Sequence, residues 1–119
     1  MNLQTILTRT ENNFGQRLIE WSASRGIATE DFDPRSEELP DGMLLINANQ
    51  DFIKEDIELH DQFDKKHIPT QKIDINGTLQ VAISNFNLWL TSNKCQRVLI
   101  IGSDDLLQNE NLERFLEKI

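Results

Sequence analysis

Four short polar segments hold the residues most suited to binding a ligand: Thr8, Arg9 and Thr10; Asn47 and Asn49; Asn76, Gly77 and Thr78; and Gly102, Ser103 and Asp104. Arg9 is the fixed positive charge among them, and a guanidinium can pair with a carboxylate or phosphate through two parallel hydrogen bonds. The asparagines, threonines and Ser103 add neutral donors and acceptors. Asn76-Gly77-Thr78 could leave backbone N–H groups open to an anion. Asp104 could accept from a ribose hydroxyl or favour the N-terminus of a following helix, whereas Asp104 and Asp105 together would repel a phosphate. The same residue types also cap helices and close turns, so their meaning depends on whether the fold gathers them.

No catalytic constellation accompanies them. Neither GxGxxG nor GxxxxGK[ST] occurs, which removes the specific phosphate-cradling loops. Asp31, Asp33 and Glu37/Glu38 resemble an oxygen-rich calcium loop, but Arg35 takes the next ligand position and Ser36 stands where that loop needs glycine. His60 and His67 are too far apart along a helix to share one metal. No serine lies in a GxSxG context, and a single cysteine, Cys95, permits neither an internal disulfide nor a cysteine-based zinc cluster. The expected role is a binding or interaction module without a catalytic set and without a nameable cofactor. The alternative is an enzyme or carrier that holds a nucleotide-like or other small anionic ligand.

The net charge of −8 argues against a sequence-independent grip on nucleic acid, which requires basic side chains to displace phosphate counterions, and against an anionic membrane surface. The Lys65-Lys66-His67 cluster is better read as a helix end, where cations suit the dipole. The chain shows no signal-peptide pattern and no apolar run of membrane-spanning length, so it is expected to be cytoplasmic. Trp21, Leu88 and Trp89 are large apolar groups on helical faces. They make homo-oligomer formation a further expectation, beside ordinary core packing.

These segments must be positioned by regular elements, and 119 residues with 38% apolar side chains support one domain with one core. Short apolar runs alternate with amphipathic stretches, the rhythm of β-α units. Leu3–Thr8 predicts the first strand, followed by a helix capped by Thr10 or Asn12 that runs to about Arg25 and stops at Gly26. Ile27–Phe32 predicts an edge strand, and Asp33-Pro34 one short helical turn. Pro40-Asp41-Gly42 then turns the chain into GMLLINA, a central strand. Gln50 to about Lys66 predicts a helix that ends before Pro69, and Gln71–Ile75 the next strand. After Asn76-Gly77-Thr78 comes a long helix with Leu79, Ala82, Ile83, Phe86 and Leu90 on one side. Arg97–Ile101 predicts the last strand and Asn109–Ile119 the closing helix. The order β-α-β-β-α-β-α-β-α predicts a single three-layer α/β/α sandwich on a mostly parallel sheet of four or five strands, flavodoxin-like or Rossmann-like. In that architecture the four polar segments lie beyond the carboxyl ends of the strands, where such folds bind ligands.

The stretches DGMLLI (41–46), IPTQKIDI (68–75), NLWL (87–90) and RVLIIG (97–102), with a final helix, resemble the bacterial molybdenum-carrier family of Rossmann-like domains over about the last two-thirds of the chain. The opening, ILTRTENNFGQRLIEWSASRGI, also resembles the first strand and helix of a uroporphyrinogen-III synthase half-domain. The first resemblance implies a small-ligand pocket at the strand carboxyl ends and assembly into oligomers. The family carries glycine-rich loops after its first strand and after the strand matching GMLLINA. This chain has TRTENN and NANQDFIKED there instead.

Overall fold

The computed structural model describes residues 3–119. Five strands, β1 (Thr5–Thr8), β2 (Ala28–Asp31), β3 (Gly42–Asn47), β4 (Thr70–Asp74) and β5 (Arg97–Ile101), form one all-parallel sheet in the order β2-β1-β5-β3-β4. Four helices connect or follow them: α1 (Asn13–Ser24), α2 (Lys54–Lys65), α3 (Leu79–Ser92) and α4 (Glu110–Lys118). The α/β sandwich and the parallel sheet expected from the sequence are present.

The strand order fixes where the helices go. The step from β1 to β2 runs toward one edge of the sheet and the step from β3 to β4 toward the other, so right-handed crossovers lodge α1 and α2 on opposite faces. The return from β4 to β5 places α3 with α1, and α4 joins them. Side-chain alternation follows: Ile6, Leu44, Ile46, Val98 and Ile100 pack with Phe14, Trp21, Phe86 and Phe115 of the three-helix face. Leu7, Met43, Leu45, Leu99 and Ile101 pack with Phe63, Ile57 and Leu59 of α2 on the other. Burying each such aliphatic side chain contributes about 1.5–3 kcal/mol, which explains why β3 and β5 are apolar on both faces.

On the second face α2 is alone, because β2 joins β3 through a connection without a helix. Asp33 closes a turn there by accepting from the Arg35 backbone N–H, in place of the helical turn expected at Asp33-Pro34. Phe32 reaches back and meets the Phe63 ring edge-on, with centroids 6.3 Å apart.

Several expected boundaries move. GMLLINA is strand only to Asn47, and the helix expected from Gln50 begins at Lys54. Asn49 and Gln50 both adopt left-handed backbone (φ 58° and 62°) in a reversal that pairs Ala48 with Asp51, and a helix cannot continue through it. Asn12 takes the N-cap position of α1, but neither its side chain nor that of Thr10 caps the helix; Asp104 does so from the exit of the neighbouring strand β5, accepting from the Phe14 N–H at 2.9 Å. A 3-10 segment, Asp104–Gln108, stands between β5 and α4, and Asn109 caps α4 through the Asn111 N–H rather than belonging to it. Trp21 and Trp89 are core residues, not surface for self-association, and Trp21 donates its indole N–H to the Leu116 carbonyl at 2.9 Å. Leu88, at 67% exposure, is the member of that set left outside.

Candidate functional site

The polar segments divide into separate groups along the carboxyl edge. On the β1 side, the chain leaves Thr8 and places Arg9 against Asp56 in the first turn of α2, with Nη1 donating to Oδ1. Asp56 suits that position because a carboxylate near a helix N-terminus faces the positive end of the dipole. It is only 1% exposed, and burial pushes its carboxyl up from the usual carboxylate range, with the Arg9 guanidinium opposing that rise. Among the described residues, Arg9 makes no other side-chain hydrogen bond. Thr10 is held by Asp31 at the end of β2, which accepts from both the Thr10 N–H and hydroxyl.

Beside this pair lies a cleft of about 230 Å³ between α2 and the segment that follows β2. Arg9, Glu11 and Glu55 line it together with Phe32, Pro34 and Leu59. It therefore offers one guanidinium, carboxylates and an apolar wall. Neither Asp56 nor the cleft's carboxylates and Phe32 belong to the residues expected from the sequence. The signal for Asp56 is a carboxylate inside an otherwise apolar helical stripe beside Ile53, Ile57 and Phe63.

At the β3 and β4 exits the asparagine and aspartate side chains are tied to neighbouring backbone and to one another. Asn47 is buried and fully engaged, donating from Nδ2 to the Ile73 carbonyl at 3.0 Å and accepting at Oδ1 from the Gln50 N–H at 3.1 Å. Asp74 Oδ1 accepts from the N–H groups of both Asn49 and Asn76. The Asn76 side-chain oxygen accepts in turn from Asn109 and Asn111. Gly77 and Thr78 face away to a second cleft of about 220 Å³ beside Lys72 and Val81, at the β4 edge.

At the β5 exit Gly102 is buried against Phe14 and Leu106, and Asp104 holds the α1 N-terminus. Where an anion would meet free N–H groups, the protein's own carboxylate already sits. Gly15 makes this approach of α1 feasible: a Cβ there would lie 2.0 Å from the Arg9 carbonyl oxygen. Thus Arg9 and Thr10 share one neighbourhood, Asn47, Asn49 and Asn76 a second, and Asp104 a third. Among the described residues no three His, Cys, Asp or Glu side chains gather to hold a metal ion.

No protein-family model matches this chain, and no curated protein matches it. Among solved structures, a crystal structure described as "Putative molybdenum carrier protein", from Syntrophus aciditrophicus SB, superposes with a TM-score of 0.77 at 14% identity. The match covers 97% of this chain and 96% of that one, so the two share one fold from end to end.

Proposed function

We propose that this chain is a small-ligand-binding module without catalytic activity, and that its site is the Arg9 cleft beyond the carboxyl ends of β1 and β2. The observation that carries this is Arg9 itself, anchored through one nitrogen by buried Asp56 and lining a cleft with an apolar wall. A guanidinium fixed in this way loses little freedom when it meets a ligand, which is how preorganised sites gain affinity. The volume, below the range of drug-sized pockets, suits a metabolite-sized guest. The description of the structural neighbour as a carrier fits a module that holds a guest rather than transforms it. The dianionic or nucleotide-like version of this reading is disfavoured, because carboxylates flank Arg9 and Asp104 fills the α1 N-terminus.

A thermal-shift screen of small metabolites tests it. At least one compound should raise the melting temperature of the wild type in a saturable way and fail to do so for Gln62→Trp, an exposed position on the cleft wall where indole would fill the space. If every stabilising compound acts equally on Gln62→Trp, the cleft is not the site.

A further inference from the structure

We infer that the ligand class of this cleft is a small zwitterion, a carboxylate and an ammonium carried on an amino-acid-sized body with an apolar side chain. The inference rests on the Arg9 cleft being the binding site and names what it takes. Arg9 lines the cleft and, among the described residues, bonds through its side chain to Asp56 alone, which leaves guanidinium donors of the kind a carboxylate matches best. A carboxylate alone would approach that guanidinium past Glu11 and Glu55, neither of which has an ion-pair partner among the described residues. Glu58, also on the wall, is engaged only by exposed Lys54 at 3.7 Å, a contact that exchanges readily. An ammonium alone would satisfy these glutamates but face Arg9. A guest that brings its own positive charge next to its carboxylate answers both sets of groups at once. Phe32, Pro34 and Leu59 then offer the apolar surface against which an uncharged side chain loses water.

The experiment is a titration of the 15N-labelled protein with each standard amino acid, then with the amide and the deamino acid of the one that binds best. These analogues keep only the ammonium or only the carboxylate. The expected result is that an apolar amino acid moves the backbone amides of Glu11, Phe32 and Glu55, and that each singly charged analogue binds at least about tenfold more weakly. Glu55→Gln, an exposed change that leaves the core untouched, should weaken the amino acid several-fold and leave the deamino acid as tight or tighter. A deamino acid or an amide that binds as well as the zwitterion overturns the inference while the cleft stands as a binding site. Cleft amides that no probe moves, amino acid or analogue, overturn the inference; if the metabolite screen also fails, the binding role falls with it.

Discussion

The carboxyl edge of the sheet has two halves whose polar side chains are used differently, although each borders a cleft. At the exits of β3 and β4, the side chains of Asn47 and Asp74 bond to neighbouring backbone, and that of Asn76 accepts from Asn109 and Asn111 at the start of α4. At the exits of β1 and β2, Arg9 makes a single anchor and borders open space. The cause is topological. The three-helix face brings α4 against the Asn76 loop, whereas the other face has only α2 and a helix-free connection, whose Phe32 and Pro34 form a wall without closing it. The helices packed beside a strand exit thus help decide whether its polar side chains are taken up by the protein or left facing a cleft.

Four substitutions test this contrast. The largest effect is expected for Gly15→Ala, whose new Cβ would strike the Arg9 carbonyl, a backbone atom that cannot swing aside; a loss of about 3 kcal/mol in urea unfolding should come with displaced Arg9 and Glu11 amides. An unchanged midpoint would mean that the α1 approach does not shape the open half. Next, Asn47→Ala should cost about 2 kcal/mol by the same measurement, because it strips a partner from the carbonyl of buried Ile73 as well as from the Gln50 N–H and leaves a gap where a buried side chain stood. Asp74→Ala should cost less, about 1 kcal/mol, since the Asn49 and Asn76 N–H groups are exposed and can turn to water; faster hydrogen exchange should be confined to those two loops. Exchange that spreads to the Arg9 segment would show that the halves are coupled.

The smallest effect is in pH dependence. Folded Asp56 holds its proton to higher pH than the unfolded chain does, because burial outweighs the opposing Arg9 guanidinium. Its favourable contribution is therefore present below the unfolded carboxylate range and lost as pH rises through the folded value. Wild type should lose stability relative to Asp56→Asn as pH climbs from about 3 toward neutrality. A gain over the same span would show that the ion pair prevails over burial.

Much of the fold was legible before any coordinates. The alternation of GMLLIN and RVLII with amphipathic segments requires strands buried on both faces, and Gly26 and Pro69 mark where helices must stop, so the parallel sandwich follows. Boundaries failed where a non-local or unusual backbone choice intervened. The helix expected at Gln50 yields to two consecutive left-handed residues, Asn49 and Gln50, and the cap expected from Thr10 or Asn12 comes from Asp104, distant in sequence but at the exit of the neighbouring strand β5. Of the candidate site, Arg9 was readable as a cation at a strand exit. Its partner Asp56 and the wall formed by Glu55 and Phe32 lie on other elements, and no local pattern joins them. Side-chain periodicity is enough to predict the layers, because the apolar stripe that each element must bury is written in its own local sequence. Which polar side chains bond to one another and which line a cleft is a matter of the packed fold, since it depends on how crossovers distribute helices between the two faces.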